Sequence, residues 1–236
     1  MAIINIGDNN IYRFVYKYIN SNMYLMVNGN EALVVDPHAN EEAMEILTEN
    51  EVKKTTILLT HEHTDHISGI YYFQDGFKSR LICCKNCAEH IADEKYTRPN
   101  LVRVLLAKQD SENGTHLSEE FLKVFKHKKY EADITFEEEF NFDWMGHNFY
   151  IVRIPGHSSG SVCIIMDDKI AFTGDSFLRE TPVITRFPGG SRKLFENISI
   201  PVLSRILKPD MFVLPGHGGR FKVKDIMKDG ILNIIY

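Results

Sequence analysis

Apolar runs along the chain fall into two stretches of similar design, each made of strands followed by a helix. In the first, Tyr12 to Tyr18, Asn22 to Val27 and Ala32 to Val35 are rich in aromatic, β-branched and long apolar residues and predict strands. Asn28-Gly29-Asn30 predicts the hairpin turn between the last two, because Asn and Gly accept the positive φ such a turn needs. Asn40, with Glu41 and Glu42 after it, predicts the cap of a helix whose apolar positions Ala43, Ile46 and Leu47 have helical spacing. Thr55 to Leu59 is a short continuous apolar run, as expected of a strand buried on both faces.

From about Lys85 to Tyr130 the pattern turns helical, with Ser118-Glu119-Glu120 opening the last helix and Asp110 to Thr115 forming a polar loop. Strands return from Ile134. They are Phe140 to Trp144, Phe149 to Ile154 after a turn at Met145-Gly146-His147, Val162 to Met166, and Lys169 to Thr173. A helix from about Lys193 to Leu207 stops before Pro209, and Met211 to Leu214 is the last strand expected. Strands then helix in each half suit an α+β architecture of two sheets packed face to face with helices outside. A single domain spanning residues 1–236, with the helical stretch near 85–130 as an insertion, is the expected organisation.

Composition narrows the functional classes. With 44% hydrophobic and 25% charged residues among 236, the chain can bury a core without covalent staples. A net charge of -5 gives no overall basic field for a polyanion, so a small-molecule substrate is expected rather than nucleic acid. No apolar run approaches the roughly 18 residues of a membrane span, and the first residues lack the pattern of a secretory leader, so a cytoplasmic location is expected. Cys84-x-x-Cys87 lacks the second pair that a structural zinc site requires. With Cys83 and with Cys163 in its apolar strand, these are expected to be reduced, buried thiols.

The densest chemistry lies in His61-x-His63-x-Asp65-His66. Imidazole and carboxylate groups ligate zinc, iron and manganese. In extended backbone after a strand, alternate residues face one way, so His61 and His63 can grip one ion while Asp65 and His66 face a second position. Ile154-Pro155-Gly156-His157 and Leu214-Pro215-Gly216-His217 repeat one design, an apolar strand that stops at Pro-Gly and presents a histidine. Phe172-Thr173-Gly174-Asp175 ends likewise, on a carboxylate able to bridge two cations. His38, His90, His116, His127 and His147 lack such settings and are expected at the surface or in structural roles, His38 being the closest to an exception because Val35-Asp36-Pro37-His38 also follows a strand.

Together Val35-Asp36-Pro37, Thr60 to His66 with Gly69, Ile154 to Ser161, Phe172 to Asp175 and Leu214 to Gly218 resemble, in order and over nearly the whole chain, the metallo-β-lactamase superfamily and its glyoxalase II-like hydrolases. The resemblance implies an αββα sandwich of two mixed sheets with a site at the edge between them. It implies two divalent ions, zinc first with iron or manganese as alternatives. His61, His63 and His157 would hold one, and Asp65, His66 and His217 the other. Asp175 would bridge them and Asp36 would support the site. His63 stands where the similar flavodiiron proteins have Glu, which argues against oxygen reduction.

Two cations about 3.5–4 Å apart make a water nucleophilic near neutral pH, so hydrolysis of a thioester or other small ester-like substrate is expected, with Asp65 orienting the water and joining in proton transfer. Glyoxalase II carries a helical C-terminal extension for glutathione, and Gly219 to Tyr236 is too short for one. Arg98 and Arg103, in the helical stretch, are candidates to hold an anionic substrate. A lactonase or β-lactamase-like hydrolase and a mononuclear-iron persulfide dioxygenase are the alternatives; a nuclease and a non-catalytic binding module fit less well.

Overall fold

The computed structural model describes residues 1–7, 9–125, 130–228 and 231–236. Strands β1 (Ala2–Ile6), β2 (Asn9–Val15), β3 (Asn22–Asn28) and β4 (Glu31–Val35) form an antiparallel meander. Helix α1 (Glu41–Glu49) is capped as expected, with the Asn40 side chain accepting from the Ala43 N–H. Strand β5 (Lys54–Leu58) then joins β4 in parallel. After short helices α2 (Thr64–Ile67) and α3 (Ile70–Gly76), β6 (Lys78–Cys84) extends the parallel half. The connection to β7 (Ile134–Phe136) holds helices α4 (Lys85–His90), α5 (Glu94–Thr97), α6 (Pro99–Asn113) and α7 (Leu117–Val124). The result is a seven-stranded mixed sheet in simple chain order.

The second sheet has six strands: β8 (Glu139–Trp144), β9 (His147–Arg153), β10 (Val162–Met166), β11 (Ile170–Gly174), then β12 (Phe212–Pro215) and β13 (Phe221–Lys222). Between β11 and β12 the chain forms α8 (Arg192–Leu194), a π-helical turn (Phe195–Ser199) and α9 (Ile200–Ile206). Pro201 has no N–H for the carbonyl four residues before it, and the turn widens there instead of ending the helix. A small hairpin of β14 (Met227–Lys228) and β15 (Ile231–Leu232) follows.

Period-two alternation in the second sheet separates its two faces. Phe149, Ile151, Val162, Ile164, Met166, Phe172 and Leu214 pack against the first sheet's Phe14, Leu25, Leu33 and Ile57 in the main core. Their neighbours Val152, Ile154, Cys163, Ile165, Ala171 and Val213 pack outward against Leu203, Leu207 and Phe221. The architecture is therefore the expected two-sheet α+β sandwich. No helix among the described residues is long and apolar enough to cross a membrane.

Several boundaries differ from expectation for identifiable reasons. Strand β2 ends at Val15, because Tyr16 to Ser21 closes on itself through Tyr16 N–H to the Ser21 carbonyl (2.8 Å). The rings of Tyr16 and Tyr18 are buried instead with Val102, Leu106 and Phe121 of the helical stretch. Asp110 to Asn113 continue α6, and the Asp110 carboxylate accepts from Thr115, Leu117 and Ser118, tying α6 to α7. The segment Met211 to Leu214 is not the final strand, since β13 and a hairpin follow β12. All four cysteines are buried and unpaired.

Candidate metal centre

Every expected ligand stands just beyond the end of a strand, at one edge of the sandwich. Residues His61 to His66 follow β5, with His63 as the first cap of α2 and Asp65 and His66 inside it. His157 follows β9 through Pro155-Gly156, Asp175 follows β11, and His217 follows β12 through Gly216. Strands β11 and β12 run parallel, so Asp175 and His217 emerge side by side. Two glycines make this possible. Gly174 has φ +48°, and a Cβ there would press on Thr60 and the His61 ring. A Cβ on Gly216 would strike Asp175 and come within 2.9 Å of His66.

The side chains converge in two adjacent groups. Ligand atoms of His61, His63 and His157 lie within 4.8 Å of one another, as do those of Asp65, His66 and His217. His157 Nε2 is 3.0 Å from His63 Nδ1. In the second group, Asp65 Oδ2 lies 3.1 Å from His66 Nε2 and 3.3 Å from His217 Nε2. Asp175 stands between the groups, 3.5 Å from His66, 3.5 Å from His157 and 3.4 Å from His217. His61 Nε2, His66 Nε2 and Asp175 Oδ1 are buried without a hydrogen-bond partner among the described residues. Burying such atoms costs free energy unless something satisfies them. Six nitrogen and carboxylate donors around a bridging carboxylate fit two divalent cations.

An outer layer fixes the donors. Asp36, with a left-handed backbone (φ 55°), accepts from the Thr60 N–H (2.7 Å) and hydroxyl (2.6 Å) and from His66 Nδ1 (2.9 Å). Thr60 Oγ1 is also 3.0 Å from His61 Nδ1, and the Ile184 carbonyl accepts from His157 Nδ1 at 2.8 Å. Such contacts select the ring tautomer and turn the other nitrogen toward the site. The Pro-Gly-His turn is pinned from the first sheet: Tyr24 OH and Asn22 Nδ2 both donate to the Pro215 carbonyl. Glu62, facing away from its neighbours His61 and His63, is buried and accepts from Ser158 Oγ at 2.8 Å.

Protonation divides the histidines. Burial, reinforced by neighbouring imidazoles, holds His61 and His63 well below the usual histidine range, and burial lowers His157 too, leaving neutral rings with free lone pairs. Burial also opposes charge on His66 and His217, but Asp65 and Asp175 outweigh it. His66 is raised well above its usual value and His217 to about 10. Burial would raise Asp65 and Asp175, yet the same two histidines hold both well below the carboxylate range.

All seven residues singled out by spacing meet here, together with Asp36. Of the two arginine candidates, Arg98 packs at the site, its guanidinium 3.7 Å over the ring of Phe187, which meets His63 and His157 edge-on; Arg103 is exposed on α6. His38 is buried and stacked on Tyr16, His90 stacks on Tyr96, His147 pairs with Asp167, and His116 is exposed. His127 lies outside the described residues. Sequence reasoning placed Thr60, Glu62 and Ser158 within motifs but gave them no role, and missed Phe187. The period-two rule offered a signal for Glu62 alone, since it must point opposite to His61 and His63.

The chain is similar to known proteins in sequence and in fold. The family model of the metallo-beta-lactamase superfamily matches residues 17–217. A probable metallo-hydrolase of Streptococcus pyogenes is 25% identical over 209 residues, covering 88% of this chain and 80% of that protein. A hydroxyacylglutathione hydrolase of Prochlorococcus marinus is 25% identical over 174 residues, covering 70% of this chain but 50% of that protein. Among solved structures, the BLEG-1 B3 metallo-beta-lactamase superposes with a TM-score of 0.68 at 22% identity, covering 90% of this chain and 93% of that one. TTHA1623 in a di-iron-bound form gives 0.63 at 20% identity, covering 89% and 94%. Both structural likenesses are of fold.

Proposed function

The chain belongs to the metallo-beta-lactamase superfamily, and from that premise we propose that it is a binuclear metal-dependent hydrolase of small thioesters or related esters. The observation that carries this reading is Asp175, set within 3.5 Å of His66, His157 and His217, so that one carboxylate belongs to both donor groups. His61, His63 and His157 would hold one cation, Asp65, His66 and His217 the other, and Asp175 both. Zinc fits this donor set, as do iron and manganese. Bound there, such ions supply Lewis acidity, polarising a carbonyl and lowering the pKa of water from about 15.7 to near 7.

The chain's own groups do the rest. Asp36 and Thr60 lock His66 and His61 from behind, so the donor set needs little rearrangement. Asp65, held anionic by His66 and His217, is a weak base and a good hydrogen-bond acceptor. It aligns the attacking water and passes its proton toward the leaving sulfur. Water oxygen bonds to the acyl carbon, the C–S bond breaks, and a carboxylic acid and a thiol leave. The hydroxyacylglutathione hydrolase and metallo-hydrolase relatives support this class of reaction.

The test is a panel of thioester, lactone and β-lactam substrates given to metal-loaded and chelated protein. Thioester hydrolysis that chelation abolishes and added metal restores is the expected result. Turnover of none of the three classes by fully loaded protein overturns the reading.

A further inference from the structure

Arg98 sits between two helices, as the last cap of α5 and the first of α6, with a left-handed backbone (φ 62°, ψ 48°). This conformation is costly for a residue with a Cβ, and the following Pro99 disfavours helical angles further. The fold nonetheless holds it in place. Its N–H donates to the Glu94 carbonyl (2.9 Å), and its carbonyl accepts from the Leu101 N–H (3.1 Å). The carbonyl of Thr97 accepts from Thr64 Oγ1 at 2.7 Å, and Thr64 lies between His63 and Asp65. One hydrogen bond thus ties the backbone beside Arg98 to the donor run itself.

The guanidinium carbon lies 3.7 Å over the centre of the Phe187 ring, which stands 6.3 Å, centre to centre, from both His63 and His157. Its Nε and Nη1 are buried and have no hydrogen-bond partner among the described residues. It feels the charges of Asp65, Asp175 and Glu62, yet no salt bridge joins it to any of them. A guanidinium is a planar fork of donors suited to a carboxylate, and leaving buried donors unmet is unfavourable. Contact with the Phe187 face restrains that fork, and its unmet donors remain for a ligand.

We propose that Arg98, held over Phe187 and registered to the donor run through Thr64, is the specificity-determining residue that receives a carboxylate carried by the substrate. The inference rests on the hydrolase reading above and adds the substrate class: an acyl compound with an anionic group beyond its scissile bond, on the His63 and His157 side. Two groups then select the substrate, the reacting acyl bond at the metal centre and the anion at Arg98.

The test compares S-acetyl-4-mercaptobenzoate with S-acetylthiophenol, which differ only in the carboxylate, in wild type, Arg98→Gln and Arg98→Lys, all metal-loaded. The kcat/KM ratio of charged over neutral ester should fall about 10- to 100-fold in Arg98→Gln, through KM, and recover in part in Arg98→Lys. Equal loss on both esters, the outcome if Arg98 only balances the acidic cluster, overturns the proposal, as does an unchanged ratio. Calorimetry with the stable thioether 4-(methylthio)benzoate provides an arm without turnover. Wild type should bind it more tightly than thioanisole, and Arg98→Gln should lose that preference. If wild type cleaves neither ester, this binding arm alone judges Arg98, and the substrate panel above judges the hydrolase reading separately. Should Arg98→Gln fail to fold, equal binding of the two thioethers by wild type overturns the proposal and a clear preference, retained in Arg98→Lys, supports it.

Discussion

Asp36 Oδ2 accepts a hydrogen bond from His66 Nδ1 at 2.9 Å, with both side chains buried, while the same oxygen accepts the Thr60 hydroxyl at 2.6 Å. One carboxylate therefore sets a ligand in each of the two donor groups, directly for His66 and through Thr60 for His61. Asp36→Asn keeps the shape but removes the charge and offers an N–H where an acceptor is needed. Metal affinity should fall about 10- to 100-fold, read by competition with a chelator of known affinity. Wild-type affinity in the variant would leave Asp36 with only a packing role.

Removing a donor should act more severely. Asp65→Ala deletes both a ligand of the second group and the acceptor that aligns water. Thioester turnover should fall by at least about 10³-fold, with the circular dichroism spectrum of wild type retained. Full activity in metal-loaded Asp65→Ala protein would remove Asp65 from the mechanism.

Metal binding should depend on pH unequally in the two groups. His61, His63 and His157 are neutral at pH 7, so a cation meets little competition there. His66 and His217 carry protons in the metal-free protein, His217 up to about pH 10, and those protons must leave when a cation binds. Affinity of the second group therefore rises with pH through the neutral range and is lost first on acidification. Elemental analysis after dialysis at stepped pH should show loss from two ions per chain to one before loss of the last. Simultaneous loss of both would contradict the division.

Close packing around Gly216 gives a prediction on stability as well as activity. Its added Cβ would meet the Gly174 backbone at 2.8 Å and His66 at 2.9 Å, besides Asp175. Gly216→Ala should destabilise the protein by about 1–3 kcal/mol and reduce metal affinity, measured by denaturant unfolding and chelator competition. A neutral effect on both would mean that the β12 turn shifts freely.

The convergence of these seven side chains was legible because a candidate metal site calls for particular residue types, and a strand end fixes where they point. His61 and His63 share a face by period two, and the repeated Pro-Gly-His marks two further strand ends. What stayed hidden depends on groups that any residue can supply or on distant packing. The Ile184 carbonyl that orients His157 is backbone, and Phe187 is a single aromatic in a loop. Strand β6 escaped because its first residues, Lys78-Ser79-Arg80, break the apolar pattern, although Leu81 to Cys84 are fully buried. Asp110 suggested a loop, whereas its carboxylate serves the next helix from inside α6.

The central claim is that the two donor groups, joined by Asp175, each hold a cation and together hydrolyse an ester bond. The most direct measurement is elemental analysis of protein saturated with Zn²⁺ at pH 8 and desalted, paired with thioester hydrolysis of the same sample. The account predicts two equivalents per chain, with activity that falls on chelation and returns with the second equivalent. A single equivalent after saturation, or full activity in protein stripped of metal, would contradict it.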